Sequence, residues 1–118
     1  MEQKPYFAWA YLAQKFGDAV DTLATSFAPN WERMLSVMME LTLLRPDHFP
    51  DEDLFRRYEE LHREATKSGP MYITSKHWIG ALENTLRRRK RPTFERMARE
   101  ILSIQQEIEM RRGKYEER

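Results

Sequence analysis

Large apolar residues recur along most of the chain at helical spacing. Trp9, Leu12, Phe16, Val20, Leu23 and Phe27 follow one another at intervals of three or four, which lines one face of a helix. The spacing predicts a first helix over 5–27. Pro5 suits its first turn, where a missing N–H costs nothing. Gly17 lies off the stripe, and whether Gly17-Asp18 divides the helix stays open. Ala28-Pro29 predicts a break, and Asn30 a cap for a second helix reaching Leu44. Trp31, Met34, Leu35, Val37, Met38, Met39, Leu41, Leu43 and Leu44 cover most of that helix's circumference. A helix apolar nearly all round is either central in the core or part of an oligomer interface.

Pro46 and Pro50 pin the next loop. Pro50-Asp51-Glu52-Asp53 opens a third helix, since proline and acids match the unpaired N–H groups and the positive dipole end. Its stripe is Leu54, Tyr58, Leu61 and Ala65, and Lys67-Ser68-Gly69-Pro70 stops it. Met71-Tyr72-Ile73 reads as a loop tucked into the core, with one extended rung as the alternative. Thr74 or Ser75 then caps a fourth helix that runs to about Arg89 and buries Trp78, Ile79, Leu82 and Leu86. Pro92 closes it. A fifth helix runs from Phe94 to about Arg112, with a seam of Phe94, Met97, Ile101, Ile104 and Ile108. Gly113 ends it.

The expected fold class is all-α: a compact bundle of about five helices, mostly antiparallel neighbours. One domain covers 1–112, and 113–118 form a frayed polar tail. The expected core holds Trp9, Phe16, Met34, Met38, Leu61, Trp78, Leu82 and Ile101.

Composition narrows the function classes. The chain has 118 residues and no cysteine, which excludes disulfides, thiolate metal sites and cysteine nucleophiles. No apolar run approaches the roughly 20 residues of a membrane span. The start, Met-Glu-Gln-Lys-Pro, is polar and leads into no signal core. The expectation is a cytoplasmic protein without a membrane partner. Gly17, Gly69, Gly80 and Gly113 stand alone, so no phosphate-cradling loop exists. His48, His62 and His77 are scattered, and neither a metal site nor a cofactor is expected.

Charge is where the sequence is most informative. Net charge is only +1, yet 1–70 carries −4 and 71–118 carries +5. Seven bases crowd into 86–99: Arg87, Arg88, Arg89, Lys90, Arg91, Arg96 and Arg99, against the single acid Glu95. One or two cations would complement a helix C-terminus. Five in succession repel one another unless an anion or an acidic surface is near, and guanidinium groups match phosphates by bidentate geometry. The expected function is a small non-enzymatic regulatory or adaptor protein that contacts nucleic-acid phosphates through this collar. The alternative is a helical protein–protein module without nucleic-acid binding. Its partner would be an acidic surface or a second copy docked through the second and fifth helices. A helix-turn-helix can also be drawn from the third and fourth helices, with Ser75, Lys76, His77 and Gly80 facing a groove.

A third reading rests on Arg57-Tyr58-Glu59-Glu60-Leu61-His62. This segment resembles the Arg-x4-His pattern of the HEPN ribonucleases, which are themselves small helical bundles. The resemblance implies that Arg57 and His62 act together on an RNA phosphodiester, usually in a dimer. His62 would move the 2′-hydroxyl proton and Arg57 would stabilise the phosphorane. In the plainer reading Arg57 is solvated and His62 borders the core. No convergent nucleophile, base and anion hole is otherwise readable, so the leading expectation is a binding protein rather than an enzyme.

Overall fold

Helix α1 spans Pro5–Thr25 and passes through Gly17 without a break. Leu12 and Phe16 on its stripe, and Ala19 beside it, are fully buried, whereas Phe27 lies beyond the helix and is exposed. Gly17 keeps a negative φ, so it costs the helix only its intrinsic propensity, about 1 kcal/mol. The computed structural model describes residues 5–27 and 30–116, the side chains among them from 8 to 27 and from 30 to 114. The predicted break at Ala28-Pro29 and the last tail residues, Glu117-Arg118, lie outside the described residues.

Helix α2, Asn30–Leu41, is shorter than its apolar run suggests. Arg45 precedes a proline and takes an extended backbone, as the proline ring demands. The chain therefore leaves the helix early, and a single 3-10 turn follows at Pro46–His48. His48 Nδ1 accepts the Arg45 N–H at 2.9 Å and holds that turn closed. Met34, Val37, Met38 and Leu41 point into the core, while Leu43 in the connection is 68% exposed.

Helix α3, Glu52–Ala65, starts where its proline and acids place it. Asp51 caps it, accepting the Asp53 N–H at 2.8 Å. The stripe Leu54, Tyr58, Leu61 and Ala65 is buried as expected. Gly69 ends the connection beyond α3 at φ +67°, a left-handed conformation that glycine adopts without cost.

The next segment corrects the sequence reading. Met71–Thr74 and His77–Ile79 are strands β1 and β2 of an antiparallel hairpin. No helix starts at Thr74 or Ser75. Thr74 Oγ1 instead accepts the Lys76 N–H at 3.3 Å inside the turn. Tyr72, Ile73 and Trp78 are exposed, so Met71-Tyr72-Ile73 does not tuck into the core and Trp78 is not a core residue. Helix α4 is only Ala81–Leu86, with Gly80 at its N-cap. That removes the reading helix of a helix-turn-helix, because Ser75 and Lys76 form the hairpin turn.

Helix α5 begins at Arg91 rather than Phe94 and runs to Glu116. Pro92 thus sits in its first turn, where proline is favourable. Gly113 keeps a negative φ, so it does not adopt the stop conformation and the helix continues through it.

Among the described residues the elements form a mostly α compact bundle of five helices with one small hairpin. Trp9 lies under Arg111 at one end of the α1–α5 contact. Leu23 and Phe94 line one cleft at the other end, so the two helices run antiparallel. The α5 seam Phe94, Met97, Ile101, Ile104 and Ile108 is buried in the core cluster. Tyr58 stands at the centre of the aromatic packing, stacked on Phe49 at 5.3 Å and edge-on to Phe16 at 6.4 Å. Among the described residues no helix is long and apolar enough to cross a membrane.

Candidate functional site

The collar forms a tight corner between α4 and α5. The N–H groups of Arg87, Arg88 and Arg89 bond to the carbonyls of Glu83, Thr85 and Leu86. The carbonyl of Lys90 accepts from Thr93 and Phe94 and starts α5. Fully buried Leu86 anchors one side of the corner and buried Phe94 the other. Residues 87–93 span the two core anchors, with Arg87, Arg88, Lys90 and Arg91 exposed and Arg89 half-buried.

The seven basic side chains do not act as one ring. Arg91 pairs with Glu95 one turn along its own helix, at 3.0 Å. Arg96 reaches across to α3 and grips both oxygens of Glu64. That pairing raises its already high pKa, so its charge is permanent and locally spent. Arg88 turns the other way, its Nη2 3.2 Å from Met71 Sδ on β1. Among the described residues, the side chains of Arg87, Arg89, Lys90 and Arg99 make no ion pair or hydrogen bond.

Arg99 and Arg89 open onto a groove between α3 and α5. Its main part is about 640 Å³, with Leu61 and Met97 beneath Arg57, Arg96 and Arg99. A second part, about 550 Å³, extends toward the corner and adds Arg63, Lys67 and Arg89. Glu60 and Glu64 border both parts. The groove is thus of mixed charge, and the unbalanced positive charge gathers at the corner.

Arg57 and His62 are not brought together. Five positions along a helix set two side chains about 140° apart. Arg57 faces α5, with Nε 2.8 Å from Glu100 and Nη2 2.8 Å from Ser103. His62 faces the end of α2, its Nε2 2.8 Å from Thr42 Oγ1. Among the described residues no three His, Asp or Glu side chains gather as metal ligands.

Sequence reasoning missed the hairpin beside the corner. Tyr72 and Trp78 are register partners across its two strands, and directly opposed residues share a face. They are 74% and 62% exposed, whereas the alternate pair Met71 and Ile79 is half-buried. The signal was present: Met-Tyr-Ile-Thr and His-Trp-Ile flank Ser75-Lys76, two aromatic and β-branched runs around a polar pair. Comparison with protein-family models, curated proteins and solved structures finds no match to this chain.

Proposed function

We propose that the chain is a non-enzymatic nucleic-acid-binding protein that contacts phosphates through the α4–α5 corner. The observation that carries this reading is the set Arg87, Arg89, Lys90 and Arg99, cations left without a protein partner among the described residues. Arg91 and Arg96 are paired with Glu95 and Glu64, so they add little net positive field to the corner. Unpaired guanidinium and ammonium groups held close together repel one another, and a polyphosphate backbone relieves that repulsion.

Titration of labelled duplex DNA by fluorescence anisotropy tests it. Four phosphates neutralised give a log–log salt slope of about −3 to −4. The triple variant Arg87→Glu, Arg89→Glu, Lys90→Glu loses most binding while keeping its helical circular dichroism, because none of these side chains enters the core. Absence of binding tighter than about 10⁻⁴ M at physiological salt overturns the proposal. The corner would then be either a docking site for an acidic protein or a solvated helix end.

A protein-docking reading has one observation in its favour. Met39 on α2 and Leu43 just beyond it are exposed apolar residues on the same end of the bundle. The α5 seam, by contrast, is buried within the chain, so self-association through these helices would use that patch and the exposed Leu102 and Met110 of α5.

A further inference from the structure

We propose that the outer face of the β1–β2 hairpin, Tyr72 with Trp78, is a stacking platform for the unpaired bases of a single-stranded nucleic acid. The inference rests on the phosphate-binding reading of the corner and specifies its substrate class.

The hairpin is costly to explain as structure alone. A two-stranded hairpin is marginal in water, and packing normally supplies what its own pairing lacks. Here the half-buried pair Met71 and Ile79 supplies the packing that is seen, Met71 against the Arg88 side chain. The outward pair Tyr72 and Trp78 buries little and adds almost nothing to it. Neither outward ring makes a ring–ring or cation–π contact among the described residues, and although one edge of Trp78 lies beside Gly80, both rings stay mostly exposed. Exposed aromatic rings side by side on a small protein mark a contact surface.

Charge selects the occupant. Between Glu64 and Glu95 the sequence holds one acid, Glu83, and seven bases. Lys76 lies in the hairpin turn, and the Arg88 guanidinium lies against Met71, the residue before Tyr72. The hairpin that carries the rings is thus flanked by cations, Lys76 at its tip and Arg88 against its inward face. A second copy of this chain would bring the same basic surface against itself, because a two-fold interface is self-complementary. A stable protein–protein interface also needs roughly 800 Å² on each partner, far more than two side chains on a narrow hairpin present. A single strand needs much less: one ring face per base for stacking and one cation per phosphate. A duplex keeps its bases stacked on one another and offers the rings nothing.

The test separates base from backbone. The probes are a labelled 12-nucleotide oligothymidylate, an abasic 12-mer of the same charge, and a 12-bp duplex. Wild type binds the oligothymidylate about tenfold or more tighter than the abasic strand. Trp78→Ala and Tyr72→Ala each lower the oligothymidylate affinity about tenfold and leave abasic and duplex affinities unchanged. Trp78→Phe retains most of the affinity, since a ring face remains. Equal affinity of wild type for the oligothymidylate and the abasic strand overturns the stacking platform but leaves the phosphate reading standing. Failure to bind any of the three overturns both. A wild-type dimer in sedimentation velocity that Trp78→Ala converts to monomer assigns the face to a second copy and also overturns the proposal.

Discussion

Asp51 divides its carboxylate between two jobs, and Arg111 takes the second. Oδ1 accepts the Asp53 N–H at the start of α3, while Oδ2 lies 3.2 Å from Arg111 Nη2 near the end of α5. Arg111 is also held by Glu107 at 2.9 Å and lies over the Trp9 ring at 6.0 Å. One carboxylate thus joins a helix cap to a contact between three helices. Asp51→Ala removes both and is expected to cost about 1–2 kcal/mol in urea denaturation. Asp51→Asn keeps a good cap and loses only the charge, so its cost is expected below about 1 kcal/mol and shrinks only in part in high salt, because the Asp51 carboxylate is mostly shielded from water.

Thr85 is a buried hydroxyl with a specific task. Its Oγ1 accepts the Ser68 N–H at 2.9 Å, and neighbouring Asn84 donates Nδ2–H to the Gly69 carbonyl at 2.9 Å. Thr85→Val preserves shape and strands the Ser68 N–H. The expected cost is about 1–3 kcal/mol in thermal or chemical denaturation. Hydrogen exchange at Ser68 should accelerate more than exchange in α1.

Tyr58 makes stability depend on alkaline pH. Its hydroxyl donates to the Leu41 carbonyl, and burial pushes its pKa up to about 12 from 10.0. The folded state therefore holds the phenol proton more tightly than the unfolded chain does. That stabilisation is complete below pH 10 and is lost as pH rises from 10 toward 12. Its size is on the order of 2–3 kcal/mol. Denaturation midpoints should fall through that window, and Tyr58→Phe should flatten the fall while lowering stability at neutral pH.

The ribonuclease reading has a direct test. With Arg57 held by Glu100 and Ser103 and His62 by Thr42, the two heads lack a shared target in one chain. Labelled RNA is expected to remain intact under conditions where it binds. Arg57→Ala is expected to cost about 1 kcal/mol of stability, because its salt bridge is only partly shielded from water. Cleavage by wild type that disappears in both Arg57→Ala and His62→Ala would show instead that the pair is catalytic.

Local signals carried most of the fold. The stripes of α1, α3 and α5 and the acidic start of α3 depend on neighbours three or four residues away, which the sequence displays directly. Residues 71–82 were ambiguous for a physical reason. Trp78, Ile79, Leu82 and Leu86 fit a helical face, while Tyr72 and Trp78 fit a strand pair across Ser75-Lys76. Gly80 marks the boundary between them. The helical pattern misplaced Trp78 because it borrowed two residues from a strand. The basic run was legible as charge, but the fate of each cation was not. Glu64 is 32 positions from Arg96, and only the alignment of α3 with α5 brings them together. The contact of Arg88 with Met71 likewise needs the hairpin to exist first.

The clasp of Ser68 and Gly69 by Thr85 and Asn84 closes the bundle beneath the hairpin. Gly69 supplies the reversal there, and α4 begins again at Ala81. Residues 70–80 are therefore a cassette mounted on a scaffold that is already shut. Their identity can drift, lengthen or be exchanged while the helices below keep their register, since exposed tips of this kind tolerate insertion. Selection on what the hairpin touches is thereby uncoupled from selection on folding. Grafting a plain two-residue turn across this span should yield a stable bundle with a bare corner.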